Sequence, residues 1–174
     1  MILVLDHSPR WAQQFDQEAK RIHLALGDTI VRLHHIGSTS IAHTKAKPVI
    51  DMLLEVTSLD ALDQKNSLLV SLGYEVKGEF GITGRRYFRL DDAMGTRTHQ
   101  LHAFEVGAEH VRRHLAFRDY MRAHPVIAAE YGELKAKLAR ENPNNMDAYI
   151  DGKDGFVKEH ERLALQWSAS DEHQ

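Results

Sequence analysis

Apolar and polar positions along this chain change period several times, and each change marks an element. Ser8-Pro9 reads as an N-cap followed by a first-turn proline, opening a helix through about Leu26 that stops at Gly27. Thr29 to Ile36 reads as a strand running into a Gly37-Ser38 turn, and Lys47 to Val56 as a second, strongly apolar strand. Ser58 predicts a cap for a helix with Leu59, Leu62, Leu69 and Leu72 on one face and Gly73 as its stop. Tyr74 to Lys77 reads as a short strand, and Gly78, Gly81 and Gly84 as a turn-rich connection. Arg85 to Leu90 and Thr98 to Val106 predict a hairpin around the polar loop Asp91 to Arg97. Beyond Gly107 the pattern is helical. Val111 to Ala123 ends at His124-Pro125, Pro125 opens a helix carrying Ile127, Tyr131, Leu134 and Leu138, and Met146 to Trp167 forms the last one.

These elements predict an α+β fold: a small mixed or antiparallel sheet in the first two-thirds, with a helical C-terminal third packed on it. With 174 residues and no internal repeat, the expectation is one domain over residues 1–167 and a frayed tail at 168–174. A net charge of −3 gives no overall basic field, so nucleic acid is not expected as a partner and any anion must be met by a local cluster. The chain has no cysteine, which rules out disulfides, thiol catalysis and cysteine-based zinc sites. No apolar run approaches membrane-spanning length, and "MILVLDHSPRW" is too soon interrupted for a signal peptide, so the expected location is cytoplasmic.

Candidate chemistry gathers around residues 34–56. In the second strand Asp51 and Glu55 share a face. A carboxylate in so apolar a strand needs a pair, for which Lys47 or Arg86 would serve, or a cation such as Mg²⁺. Just upstream, Gly37 allows close backbone approach and Ser38 offers a hydroxyl, the equipment of a phosphate-binding turn that could equally be a helix-opening turn. In the hairpin, His102 and Phe104 face one way and His99, Leu101, Ala103 and Glu105 the other, so a second metal ligand would be His102 or Glu105 according to register. Arg86, Arg118 and Lys153 fall on inward-facing positions. They read either as salt bridges or, with Lys47, as a set converging on an anionic ligand. A histidine-ligated metal hydrolase using His99, His102 and Asp51 is a third, weaker reading.

"HIGSTS", "KPVIDMLLEV", "GRRYFRL", "THQLHAFEVG", "RHLAFRDYMRAHP" and "YIDGKDGFV" occur in an order and spacing that resembles the GrpB family from about Pro9 to Val157. That resemblance implies a minimal nucleotidyltransferase-like fold with a mixed sheet flanked by helices, and Gly37, Ser38 and Asp51 at the positions of the transferase turn and first acid. It further implies a nucleotide or coenzyme A context, through fusion of such domains to dephospho-coenzyme A kinase. The co-occurrence of turn, strand acid and inward cations in this chain leads to the expectation of a nucleotide or other phosphorylated small molecule bound with Mg²⁺ or another divalent cation, with nucleotidyl transfer as the candidate reaction. One departure stands out. Such enzymes carry a second acid two residues after the first, and here that position is Leu53. Glu55 lies roughly 7 Å further along the strand at about 3.3 Å per residue. A degenerate, non-catalytic nucleotide-binding module is therefore the alternative expectation.

Overall fold

The structure is a computed structural model that describes residues 1–171. Contacts cluster into two compact units, each assembled from separated segments, so no single stretch of linker composition marks a boundary. One unit comprises Pro9–Ile36 and Val49–Arg112 and holds the sheet; the other comprises Met1–Ser8, Gly37–Pro48 and the segment beginning at Arg113, and is mainly helical.

The sheet unit contains helix α1 (Arg10–Leu26), strands β1 (Ile30–Ile36) and β2 (Ile50–Val56), and short helices α2 (Leu59–Asp63) and α3 (Asn66–Ser71). Strands β3 (Glu75–Val76), β4 (Arg86–Asp91) and β5 (Arg97–Glu105) follow. The order is β1-β2-β5-β4-β3, with β2 and β5 parallel and every other pair antiparallel, which makes the sheet mixed. Residues paired directly across strands share a face. One face therefore carries Ile50, Met52, Leu54, Val56, Leu101, Ala103 and Phe88, all buried. Helix α1 packs over this face at β1 and β2 and also against α3, turning Trp11, Ile22 and Leu26 inward. Its buried Glu18 accepts from Tyr74 Oη at 2.8 Å and pairs with Arg21 at 2.7 Å, which satisfies the carboxylate in an apolar setting.

The opposite face carries Asp51, Glu55, Gln100, His102 and Arg89. Register aligns His34, Leu53, His102 and Tyr87 in one row, and Ile36, Asp51, Gln100 and Arg89 in the next. Asp51 and Glu55 share this face, as the strand period requires.

Three boundaries differ from the sequence pattern. The cap position of α1 is Pro9, with no side-chain cap bond, one residue after the expected serine. The predicted second helix is interrupted between α2 and α3; there Lys65 donates Nζ to Leu26 O at 2.8 Å, closing the end of α1. Helix α6 runs to Asp171, so residues 168–171, expected to fray, continue the helix; the remainder of that tail, 172–174, lies outside the described residues.

The other unit holds most of α4 (Glu109–Ala123), together with α5 (Pro125–Glu141) and α6 (Met146–Asp171), the helical C-terminal third. Its cores gather Ile41, Met121, Ala128, Tyr131 and Ala164 in one cluster and Leu138, Ala139 and Tyr149 in another. The N-terminal segment joins by a two-way backbone pairing of Leu5 with Ala46 at 2.8 and 2.9 Å. No helix among the described residues is long and apolar enough to cross a membrane.

Candidate functional site

In the sheet unit, Asp51 sits near the start of β2 on the polar face. His102 reaches back from the next row of β5, placing Nε2 3.5 Å from Asp51 Oδ1. Behind His102 stands Arg85, just before β4. Its Nη1 lies 3.3 Å from His102 Nδ1, its Nη2 donates to Phe80 O at 2.9 Å, and its Nε donates to Glu79 O at 3.2 Å. The guanidinium lies over the Tyr87 ring at 4.9 Å, and Tyr87 in turn tilts against His102 at 5.3 Å. Burial lowers the pKa of Arg85 and raises that of Tyr87.

Glu55 has its own partners. His34 Nε2 is 2.6 Å from Oε2, and Arg32 is 3.7 Å from Oε1. Each acid of β2 thus faces a separate histidine, and the two do not form a shared carboxylate pair. Among the described residues no three His, Asp or Glu side chains group as metal ligands. A cage made of protein ligands alone does not fit this geometry. Asp51 is a partly exposed carboxylate on an internal strand, a hard oxygen donor of the kind Mg²⁺ takes.

The helical unit contains the turn. Gly37 has φ 71°, a left-handed conformation that a side chain would strain, and Ser38–Ser40 form one 3₁₀ turn with Ser40 N bonded to Gly37 O at 3.0 Å. Two helix-borne cations grip this turn. Lys135 of α5, 2% exposed, donates Nζ to Ser38 Oγ at 2.7 Å and lies 4.1 Å from the Tyr131 ring centroid. Arg122 of α4 donates Nε to Ser40 O at 2.9 Å. Burial lowers the Arg122 pKa, and neighbouring Arg118 adds to that, while Asp119 opposes it. Lys47 and Lys153 each lie over the Tyr149 ring, at 5.4 and 5.1 Å from its centroid. The Tyr149 hydroxyl is buried with no hydrogen-bond partner among the described residues, and burial pushes its pKa up to about 12.

The structure thus brings together some of the residues singled out from the sequence. Asp51 meets His102, and Lys47 and Lys153 each lie over the Tyr149 ring. Others are committed elsewhere. Glu105 lies opposite Val56, five residues along from Asp51, and its Oε1 accepts from Leu59 N at 3.1 Å, so it serves the start of α2 and is no ligand beside Asp51. Arg86 is not part of an anion-binding set: it points to the apolar face and holds Asp63 through two bonds of 2.8 and 3.1 Å. Arg118 pairs with the adjacent Asp119 at 2.9 Å. His99 turns to the face opposite His102, with Nδ1 2.8 Å from Thr98 Oγ1, which separates it from Asp51.

Three residues escaped the sequence reading: Arg85, Arg122 and Lys135. The strand period could have found Arg85, which shares parity with Tyr87 and His102 in the observed register. No local signal marks Lys135, since only the fold brings Ser38 and position 135 together.

Comparison with known proteins agrees with this architecture. The fold is nucleotidyltransferase-like: a Cid1 poly(U) polymerase crystal structure with MgGTP bound superimposes with a TM-score of 0.55 at 15% identity, over 79% of this chain and 46% of that one. The model of the family described as GrpB protein matches residues 1–162, and the chain belongs to that family. A crystal structure of the conserved protein GrpB from Enterococcus faecalis superimposes with a TM-score of 0.90 at 39% identity, covering 95% of this chain and 99% of that one. The UPF0157 protein YqkA of Bacillus subtilis is 46% identical over 164 residues, 94% of this chain; the chain spans only 47% of that protein's length.

Proposed function

We propose that the protein binds a nucleotide or another phosphorylated small molecule as its complex with a divalent cation. The observation that carries this reading is the buried Lys135 ammonium seated on the hydroxyl of a Gly-Ser turn. A phosphate oxygen can take the place of such a hydroxyl and gain a charge-assisted bond in a low-dielectric setting. Gly37 and Ser38 form the turn, Lys135 supplies the counter-charge, and Lys47 and Lys153 add positive charge within the same unit. In the sheet unit, considered by itself, Asp51 is the carboxylate suited to a divalent cation. The MgGTP bound by Cid1 supports this ligand class.

Transfer of a nucleotidyl group is the second reading. Positioning and electrostatics dominate such chemistry. Leu53 at the place of a second acid, and Glu55 held by His34, favour binding without turnover.

Calorimetric titration with ATP, GTP, CTP and UTP, each with Mg²⁺, tests the proposal. At least one is expected to bind. Lys135→Met should weaken binding by roughly 10- to 100-fold, the worth of a charge-assisted hydrogen bond. Asp51→Asn should weaken it only when Mg²⁺ is present. Silence with all four nucleotides and with pyrophosphate would overturn it. Release of pyrophosphate from the bound nucleotide, absent in Asp51→Asn, would establish transfer over simple binding.

A further inference from the structure

Arg85 stands out because a buried guanidinium faces a histidine nitrogen. Arginine remains protonated and has no acceptor, so across the 3.3 Å contact its Nη1 must donate. The acceptor, His102 Nδ1, is then the unprotonated nitrogen, and a neutral His102 carries its proton on Nε2, the atom facing Asp51 Oδ1 at 3.5 Å.

From this we infer that Arg85 is a positioning residue that fixes the Nε2–H tautomer of His102, so that His102 presents a donor to Asp51 and is not a cation ligand through that atom. Arg85 is held for this task. At 8% exposure it is anchored on the carbonyls of Glu79 and Phe80 and lies over Tyr87. Those carbonyls belong to a turn shaped by Gly81 and Gly84 at φ 86° and 82°, and by Phe80 at φ 48°. The turn is closed by a 2.7 Å bond from Gly84 N to Glu79 Oε2. The turn thus positions the arginine, and the arginine positions the imidazole. One carboxylate oxygen of Asp51 then faces a fixed N–H. The tautomer stands on this geometry alone, whereas its consequence for a cation at Asp51 rests on the function proposed above.

Two histidines of the same unit serve as internal standards. His34 Nε2 lies 2.6 Å from the Glu55 carboxylate, an acceptor, and must carry the proton there. Thr98 Oγ1 donates to Leu90 O at 3.2 Å, so it accepts from His99 Nδ1–H at 2.8 Å, the opposite tautomer.

Two-bond proton–nitrogen NMR of the full chain with ¹⁵N-histidine, at about pH 8 where ordinary histidines are neutral, reads all three. His102→Gln assigns the signal. Wild type and Arg85→Lys are expected to show His102 protonated on Nε2, while Arg85→Met should move population to Nδ1–H with His34 and His99 unchanged. A wild-type His102 protonated on Nδ1 overturns the inference, as does a folded Arg85→Met with the wild-type pattern; the first of these decides even if the variant does not fold. Titration with the Mg²⁺-nucleotide separates positioning from ligation. His102→Gln, which keeps an amide donor near the Nε2 position, should bind within about threefold of wild type, and His102→Ala should lose about fivefold or more. Equal loss in both variants would make His102 a ligand. If no nucleotide binds, the proposed function fails and the NMR result still stands or falls separately.

Discussion

Gly132→Ala offers a sharp test of how α5 is seated. A Cβ at position 132 would lie 2.5 Å from Lys45 N, 3.1 Å from Thr44 Oγ1 and 3.3 Å from Lys45 Cβ. Ordinary contact begins near 3.5 Å, so the Thr44–Lys45 backbone or the helix must retreat by about 1 Å. That backbone has little freedom: Thr44 and Ala46 are buried, and Ala46 is bonded to Leu5 in both directions. Overpacking costs about 1–3 kcal/mol, and a contact with pinned backbone belongs to the upper part of that range, about 2–3 kcal/mol. Replacing glycine within a helix returns about 1 kcal/mol, leaving a net loss of about 1–2 kcal/mol. For a chain of this size that corresponds to roughly 2–8 °C in Tm. Gly152 and Gly155 of α6 calibrate the result. At Gly152 the added atom would meet Leu138 Cδ2 at 2.4 Å, a side-chain end that can rotate, so the loss should be smaller. At the exposed Gly155 nothing lies within 4 Å, and alanine should stabilise by up to about 1 kcal/mol. Urea unfolding of the three variants orders them as 155 above wild type and 132 lowest. A Gly132→Ala protein as stable as wild type would refute the argument that this segment is pinned. The displacement also reaches function, because Lys135 lies one turn further along the same face of α5 and would be drawn off Ser38.

Burial lowers the pKa of His99, with Glu18 opposing the shift and Arg21 adding to it, and its Nε2 has no hydrogen-bond partner among the described residues. The folded state therefore binds fewer protons than the unfolded chain below the ordinary histidine range, so stability rises with pH up to about 6.5 and is lost as pH falls through that window. His99→Phe should flatten this part of the urea-midpoint profile relative to wild type; an unchanged slope would contradict it. Arg86→Met opens the pair with Asp63 and should cost about 1 kcal/mol at most, since the aspartate is partly exposed. Nucleotide titration should be unchanged within about twofold in that variant, and a tenfold loss would return Arg86 to the binding residues.

The strands and helices were legible because each buries one face, and burial writes its period into neighbouring residues. Asp51 stood out for the same reason: a carboxylate in an apolar strand is visible without a partner. The hairpin histidines were legible as residues on opposite faces, but the choice between His102 and Glu105 was not. Register depends on which strand lies beside β5, and here the parallel neighbour β2 sets His102 opposite Leu53 and Glu105 opposite Val56. Cations were hardest to read. Arg85 and Arg86 are adjacent and chemically identical, yet opposite parity sends one to His102 and the other to Asp63.

By itself, then, the chain determined its elements, its α+β class and, through ordered motifs, its family, because these depend on local periodicity and composition. Tertiary structure alone decided that Lys135 sits on Ser38, that Glu55 goes to His34, and that Arg85 stands behind the imidazole facing Asp51. Coulombic and hydrogen-bond partners act over a few ångströms in space, and residues 97 apart in sequence carry no mark of meeting until the backbone brings them together.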